Sequence, residues 1–397
     1  AQRHLASRAL LGQPQTEGYD PMRQITAQIM KANLHIVQDV TGSMERWPDS
    51  SNEPTGKANA FGYLAWAGPT KSCSNANCRY WYYDLTFEAP SRMAILKNAL
   101  GNSVPLVTAY TPPTVSSPWT RAAPKPNTNS KKVWRFTYDY GRGKTGADPK
   151  PPFAPFETIT IPGAYTSRFL TTAYTVSNFP KVVNGACTVG TCTYHPPQDL
   201  VGKNARRVNW GLTKYSTDGV ATLVYIDTDG TNKHLDRLEA YLLPSGAYSP
   251  TRDDSNNRIQ GLAAGGRTNT RAGLLEARRV LRDVTHPNDP MKDCDRPYGV
   301  ILVTDGESNS GNGDDSGVAG CGSVTSNSWT SCPNNWRCYP AGAANDLYGA
   351  LGRKPKVNTW VIGVSDEVGE CELDFTAYAG RTDANSPRED AGFSGYA

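Results

Sequence analysis

The chain has 397 residues, a formal net charge of +4 and a charged fraction of only 20%. No block of Lys or Arg stands out, which argues against nucleic acid or anionic lipid as a partner. No apolar run approaches the roughly 18 residues of a membrane-spanning helix, so no transmembrane segment is expected. The many Gly (37), Pro (29) and Tyr (20) favour a secreted, loop-rich protein with β character, built as one large domain or two smaller ones.

The predicted elements alternate between short apolar runs and helical patterns. Residues 1–32 form a polar N-terminal extension, in which Ile25 and Ile29 predict an amphipathic helix over 21–30. The predicted strands are 33–39, 206–216, 221–229, 298–306 and 357–366. The predicted helices are 91–100, 233–243, 270–284 and 343–352. This alternation predicts an α/β fold with a doubly wound, mainly parallel sheet, in which a tight turn makes 221–229 the one antiparallel edge strand.

Three long stretches interrupt this alternation and are predicted to be β-prone, disulfide-containing insertions in a single domain over 33–397. They span 45–87, 101–204 and 307–340. The first contains the aromatic run "RYWYYDLTF", which fits either the core of an insertion or an adhesive aromatic surface, and core packing is favoured. Excursions of this length in a compact α/β domain are typical of functional segments or of disorder.

Nine cysteines are present, and disulfides explain their spacing better than a metal site or buried free thiols. Two pairs enclose four residues each, a third group is crowded into the last insertion, and no CxxC pair occurs. The disulfide candidates are Cys73, Cys78, Cys187, Cys192, Cys321, Cys332 and Cys338. The odd total leaves at least one thiol unpaired or bonded to another chain. An oxidising compartment is therefore expected.

Polar side chains follow the first predicted strand at alternate positions. The motif "DVTGSM" places Asp39, Thr41 and Ser43 in the loop after that strand, with Gly42 permitting a bend. In a doubly wound sheet this loop lies at the crevice where ligands bind. One carboxylate and two hydroxyls are oxygen ligands that a hard divalent cation accepts. The motif alone is more often a capped turn.

Two later loops supply the remaining oxygens for such a cation. "GGRTNT" precedes the predicted helix 270–284 and offers Thr268, and "LVTDGES" ends the fourth strand and offers Asp305. Both loops are expected at the same end of the sheet as Asp39. Five oxygens then converge on one point, two carboxylates balance a 2+ ion, and a sixth position stays open for water or for a ligand's acid.

Together, "DVTGSM", "GGRTN" and "LVTDGESN" resemble the metal-ion-dependent adhesion site of a von Willebrand factor type A domain. The resemblance implies a Rossmann-like fold and metal ligation by Asp39, Thr41, Ser43, Thr268 and Asp305, with hydroxyls bound directly and one or both Asp through water. Mg²⁺ is the favoured ion, and Mn²⁺ and Ca²⁺ are alternatives. Thr41 stands where Ser is usual, and His35 and Gln38 depart from the usual fully apolar first strand.

A narrower resemblance connects the chain to the PilY family of type IV pilus tip proteins. "MAILKNAL", "VNWGLTKYS" and "FTAYAGRT" are similar to segments of that family's N-terminal region, whereas 101–204 has no counterpart. The resemblance implies a non-enzymatic adhesin and assembly factor at the cell surface, exported through an oxidising periplasm. The implied partners are minor pilins, other pilus-tip proteins, and host or surface ligands with an exposed carboxylate. Such proteins carry a β-propeller after this domain, so an N-terminal portion of a longer protein is expected.

Three other functions and two other sites are alternatives to this interpretation. A generic extracellular type A adhesin, a scaffold with a purely structural metal, and a metal-dependent hydrolase with Glu307 as base are the alternatives. "DTDGTN" at 227–232 lacks the calcium-loop Glu, since Leu238 takes the twelfth position, and a polar turn is favoured over an accessory ion site. "GRGKTG" at 141–146 fails the phosphate-loop pattern because Tyr138 replaces the first Gly.

Overall fold

A computed structural model describes a part of the chain. The described residues are 30–46, 63–71, 80–101, 106–115, 119–123, 125–126, 132–139, 182–183, 186–187, 190–196, 198–229, 233–243, 245, 248–294, 296–305, 338–349, 354–365 and 370–383. Several sequence-based predictions therefore lie outside the described residues: the helix over 21–30, the "GRGKTG" segment, Glu307, and the cysteines Cys73, Cys78, Cys321 and Cys332.

Strands and helices alternate along the described residues. The strands are β1 (Ala32–Asp39), β2 (Tyr63–Lys71), β3 (Tyr80–Glu88), β4 (Leu106–Thr111), β5 (Trp119–Arg121), β6 (Lys125–Pro126), β7 (Lys132–Asp139), β8 (Val182–Val183), β9 (Ala186–Cys187), β10 (Thr191–His195), β11 (Val208–Ser216), β12 (Gly219–Val224), β13 (Tyr248–Arg252), β14 (Arg258–Gln260), β15 (Tyr298–Thr304) and β16 (Val357–Gly363). The helices are α1 (Arg92–Leu100), α2 (Leu200–Lys203), α3 (Leu235–Tyr241), α4 (Thr270–Arg278), α5 (Cys338–Tyr348) and α6 (Glu370–Ala379).

The main sheet has the order β12-β11-β1-β15-β16. The strands β11, β1, β15 and β16 are parallel, and β12 pairs antiparallel with β11 at the edge. The prediction of a mainly parallel α/β sheet with one antiparallel edge strand is confirmed. The chain leaves β1 toward β11 and later returns to its other side as β15. The order of the strands thus reverses between β1 and β15, where such sheets form their crevice.

Both faces of β1 are buried, which explains its apolar character. Ile36 packs into a core shared with α1 and α3, whereas Val37 packs into a second core with α4 and α5. Consecutive residues of a strand point to opposite faces of the sheet, so β1 contributes side chains to both cores. Among the described residues, the two cores remove 15 and 13 apolar side chains from water, and this burial is the main favourable term in folding.

The ends of several elements differ from the sequence-based boundaries. β12 stops at Val224 because the chain turns, and the Asp227 carboxylate accepts a hydrogen bond from the Lys233 backbone amide at 2.9 Å. The predicted helix 270–284 is α4 followed by a π-helical turn, Arg279–Thr285. α5 begins earlier and ends at Tyr348, because Gly349 adopts φ of 96°, which ends helices at low cost.

The first two insertions form one antiparallel sheet of their own, with the order β2-β3-β7-β5 and β6 beside β7. In "RYWYYDLTF" the alternate residues Trp81, Tyr83, Leu85 and Phe87 are buried, so core packing of this run is confirmed. Trp134 of β7 lies in the same core, edge-on to Tyr110 with ring centroids 6.0 Å apart. The pairing of the two insertions with each other was not predicted from the sequence.

Helix α1 lies between this insertion core and the main sheet. Met93 and Leu96 pack into the core on the α1 face of the main sheet, whereas Ala94 and Ile95 pack into the insertion core. Lys97 is buried too, and its Nζ donates to the carbonyl oxygens of Leu243 at 2.8 Å and Leu262 at 2.5 Å. Burial lowers the pKa of Lys97 to about 7. A helix buried on two sides joins the two sheets.

The cysteine predictions are tested at one pair. Cys187 and Cys192 lie within disulfide-bonding distance, with Cα atoms 5.8 Å apart, on neighbouring strands β9 and β10. Gly190 in the connecting turn has φ of 69°, and a Cβ atom at this position would clash with the Thr111 carbonyl oxygen, so no other residue fits. Cys294 is an exposed free thiol. Cys338 begins α5. None of the described helices is long and apolar enough to cross a bilayer.

The unusual polar residues of β1 each bond through one atom, His35 to a neighbouring strand and Gln38 to helix α1. His35 is fully buried, and its Nε2 lies 2.7 Å from Thr213 Oγ1, which in turn lies 3.1 Å from Thr222 Oγ1. Gln38 Nε2 donates to Met93 Sδ at 3.0 Å. Burial lowers the pKa of His35 to about 3. The imidazole is therefore neutral in the folded protein at every pH at which an exposed histidine titrates.

Replacing Trp134 by Ala should destabilise the fold by about 3–5 kcal/mol, because a large side chain leaves the insertion core and a cavity remains. The matched control is Trp360→Ala, at a tryptophan whose side chain is 44% exposed on β16. It should cost about 1 kcal/mol. The measurement is the free energy of unfolding in urea, and equal losses in both variants would contradict this account of the insertion core.

Replacing His35 by Phe should make the protein less sensitive to acid. The unfolded chain takes up a proton on this side chain below about pH 6.5, whereas the buried imidazole does so only near pH 3. The wild type therefore loses about 1.4 kcal/mol per pH unit between those values, and His35→Phe does not. The readout is the stability difference between the two proteins from pH 7 to pH 4. A difference that stays flat over this range would refute the assignment.

Candidate metal centre

The first part of the candidate centre is the loop that follows β1. Asp39 ends the strand and is fully buried. The backbone amide of Thr41 donates to Asp39 Oδ1 at 2.8 Å, so the loop turns back on the carboxylate. A single 3-10 turn, Gly42–Glu45, then places Ser43 Oγ 2.9 Å from Thr41 Oγ1. Two hydroxyls and one carboxylate thus share one short turn.

The second part is Asp305, directly after β15. Ser43 Oγ donates to Asp305 Oδ1 at 2.8 Å across a separation of 262 residues. β1 and β15 are parallel neighbours, so their carboxyl ends lie side by side and bring these two groups together. The backbone carbonyl of Asp305 accepts from Ser365 Oγ at 3.0 Å, which fixes the residue from the β16 side. The sequence-based expectation that these two loops meet is met by this geometry.

The third part is the loop before α4, which is docked on the first. Gly265 N–H donates to the Val40 carbonyl at 2.7 Å, and Gly42 N–H donates to the Gly266 carbonyl at 3.0 Å. Gly266 has φ of 80°, a conformation that favours glycine, and this explains the second Gly of the motif. Thr268 follows in the same loop with a buried side chain. The loop therefore places it at the same edge as Asp39.

Two residues that sequence analysis missed hold the Asp39 carboxylate. Thr304 Oγ1 donates to Asp39 Oδ2 at 2.9 Å, and the Tyr215 hydroxyl donates to the same oxygen at 3.3 Å. Thr304 ends β15 and Tyr215 lies near the end of β11, so both neighbouring strands contribute. Burial, and secondarily the charge of Asp305, raises the pKa of Asp39 to about 7. Without a cation, this carboxylate is costly to ionise.

Arg92 is the third residue that sequence analysis missed. Its Nη1 donates to Asp305 Oδ2 at 3.2 Å, and both side chains are 0% exposed. Ser91 caps α1 by accepting from the Ala94 amide at 3.2 Å, and the Arg92 amide donates to the Arg46 carbonyl at 3.0 Å. Burial raises the pKa of Asp305, while Ser43 and Arg92 act against the rise. A signal existed in the sequence: Arg in the first turn of a helix opposes the helix dipole and needs an acidic partner.

The donor set fits a hard divalent cation. Carboxylates and hydroxyls are the ligands that Mg²⁺ accepts, and neighbouring oxygens in an octahedral Mg²⁺ site lie about 2.9 Å apart. The Thr41–Ser43 and Ser43–Asp305 oxygen pairs, at 2.9 and 2.8 Å, match this spacing. No group of three His, Cys, Asp or Glu occurs with metal-site geometry among the described residues, so a cation here would depend on the hydroxyls.

The predicted site residues can now be placed. Asp39, Thr41, Ser43 and Asp305 are joined by hydrogen bonds, and Thr268 lies in the loop docked against them. The described part of the calcium-like segment, 227–229, lies at the opposite end of the sheet, as predicted. The Thr228 carbonyl accepts a hydrogen bond from Arg296, which also donates to Asn33 near the start of β1. Its Asp227 and Asp229 both pair with Lys233, as expected of a polar turn.

Comparisons with known proteins found no match. No protein-family model matches this chain, and neither a curated protein nor a solved structure is similar to it.

In the absence of a bound ion, Asp39→Asn should become more stable relative to wild type as the pH rises. Because the folded protein keeps this proton up to about pH 7 and the unfolded chain releases it near pH 3.8, the wild type loses about 1.4 kcal/mol per pH unit between them. This trend is opposite to that of His35, so the stability difference between Asp39→Asn and wild type isolates it.

The measurement is urea unfolding in EDTA from about pH 5 to pH 8. Asp254→Asn, at an exposed carboxylate of the β13–β14 turn, is the control and should leave the difference flat. A wild type whose ion-free stability rises with pH relative to Asp39→Asn would contradict the burial of an unneutralised carboxylate.

Proposed function

We propose that this chain is a von Willebrand type A adhesion module that binds a partner's carboxylate through a divalent cation, Mg²⁺ in the first instance. The observation that carries the proposal is the hydrogen-bonded group of Asp39, Thr41, Ser43 and Asp305 at the carboxyl edge of the sheet. The strand order supports it, since the connections that leave β1 and β15 at this edge lead to opposite sides of the sheet.

The residues of the group divide the work of holding a cation. Ser43 and Thr41 offer hydroxyl oxygens, and Thr268 would offer a third from the docked loop. Asp39 and Asp305 supply the two negative charges. A bound divalent cation would supply an electrophilic anchor for an incoming carboxylate. Thr304 and Tyr215 fix one oxygen of Asp39, so the carboxylate is oriented before any cation arrives.

A binding role suits this group better than hydrolysis. Hydrolysis also requires a general base that activates water. In the described part of the centre, both carboxylates accept hydrogen bonds and neither is left over for that task. Glu307, the candidate base in the sequence, lies outside the described residues. A hydrolase is therefore the second candidate, and a generic extracellular adhesin or a scaffold with a structural metal are the alternatives within the binding class.

We further propose that the module acts at a type IV pilus tip, in adhesion and in pilus assembly. The support is the sequence resemblance to the PilY family, whose three segments correspond to α1, β11 and the end of α6. The proposed partners are minor pilins, other tip proteins and surface ligands with an exposed carboxylate. The Cys187–Cys192 pair is compatible with export through an oxidising compartment.

Titration of the EDTA-treated protein with MgCl₂ in a calorimeter tests the metal site. Wild type should bind one ion, and at a hundredfold excess over Kd the ion should stabilise the fold by about 2.7 kcal/mol. Ser43→Ala should lose most of this affinity, because it removes a direct oxygen ligand. Ser255→Ala, in the exposed β13–β14 turn, is the matched control and should bind as wild type does. No heat and no stabilisation in wild type would defeat the proposal.

The role at the pilus requires a test in piliated cells. An Asp39→Ala allele should abolish adhesion, and a folded variant that still adheres and assembles pili would favour the structural-metal alternative. For the hydrolase, ester, phosphate and peptide substrates are assayed with Mg²⁺. Turnover that Glu307→Gln abolishes while metal binding persists would replace the binding function with an enzymatic one.

A further inference from the structure

Arg92 places a permanent positive charge inside the candidate centre. Its guanidinium lies 3.2 Å from Asp305 Oδ2, and the other oxygen of that carboxylate already accepts from Ser43. Asp305 therefore has a resident counter-charge before any divalent cation arrives.

The guanidinium is also held in place by its own helix. Arg92 is the first residue of α1, its backbone amide is bonded to the Arg46 carbonyl, and the preceding Ser91 caps the helix. Five further residues of α1 pack into two cores, Ala94 and Ile95 into one and Met93, Leu96 and Leu100 into the other. Moving Arg92 away from Asp305 would require a displacement of this helix or an unpaired buried charge, and both are costly.

We propose that Arg92 sets the divalent-cation affinity of the centre: it stabilises the ion-free state by neutralising Asp305 and weakens cation binding by the same contact. The inference rests on the proposed metal-binding function. A cation that shares Asp305 with a guanidinium gains less from that carboxylate, and it is repelled by the guanidinium charge at short range in a buried setting. Arg92 acts as a positioning and affinity-setting residue and is not itself a ligand.

The test compares Arg92→Gln with Arg92→Lys and a matched control, in the same chain used for wild type. Arg135→Gln is the control, because Arg135 also pairs with an aspartate, Asp84, at 2.8 Å, but is 54% exposed on the insertion sheet. Each protein is titrated with MgCl₂ by calorimetry, and its melting temperature is recorded in EDTA and in saturating MgCl₂.

Arg92→Gln should melt at a lower temperature in EDTA, bind Mg²⁺ at least about tenfold more tightly, and show a larger Mg²⁺-induced rise in melting temperature. Arg92→Lys keeps the charge and should stay within about threefold of the wild-type affinity. Arg135→Gln should match wild type in both readouts. These shifts separate an electrostatic role from simple packing, which would lower stability equally with and without Mg²⁺.

The outcomes separate the inference from the proposed function. If wild type binds Mg²⁺ and Arg92→Gln binds it equally or less tightly, the inference is overturned and the function stands. If wild type does not bind but Arg92→Gln does, the proposed function fails and Arg92 is established as the competing charge. If neither binds, both fail.

A second variant keeps the test decisive if Arg92→Gln folds poorly. In EDTA, the double variant Arg92→Gln/Asp305→Asn should recover more than half of the stability that Arg92→Gln loses, because it removes both buried charges. This measurement requires no metal. No recovery would show that Arg92 does not stabilise the ion-free centre through Asp305, and the inference would fall.

Discussion

The hydrogen bond from Ser43 to Asp305 is the contact on which the candidate centre depends. It joins residues 262 positions apart at 2.8 Å, and no local preference of either segment could bring them together. Parallel pairing of β1 with β15 does so, because it sets the carboxyl ends of two strands side by side. The polar turn after β1 can be short because the loop before α4, which contains Gly265 and Gly266, is hydrogen-bonded to it. The geometry of the centre is therefore a property of the sheet.

Buried charge is the second constraint on this region. The carboxylates of Asp39 and Asp305 are buried close together. They accept hydrogen bonds from one guanidinium, from the Thr41 amide and from three hydroxyl groups, on Ser43, Thr304 and Tyr215. Each donor lowers the cost of ionisation, yet burial still raises the pKa of Asp39 and of Asp305. A polar group this well organised and still short of positive charge is suited to accept a further cation.

Sequence patterns predicted the parts of this protein that follow from local periodicity. Runs of apolar residues predicted the strands β1, β15 and β16. The order of the three motifs along the chain predicted which loops lie together. Arg92, Thr304 and Tyr215 escaped prediction because their roles depend on distances between strands and helices that are remote in sequence. The insertion sheet escaped for the same reason, since β3 and β7 are separated by α1 and their pairing leaves no periodic mark. The proposed carboxylate partner also leaves no mark in the sequence that would identify it.

Helix α1 has a consequence for how this molecule carries force. Its side chains are embedded in the insertion core and in the core on the α1 face of the main sheet. Tension applied to the insertion sheet therefore reaches the parallel sheet through a packed helix as well as through connecting loops. Close-packed interiors deform little and transmit strain. A pull on one sheet is therefore transmitted to the first turn of α1, where Arg92 meets Asp305. Mechanical load would then act on the same few atoms as a cation bound at the proposed site.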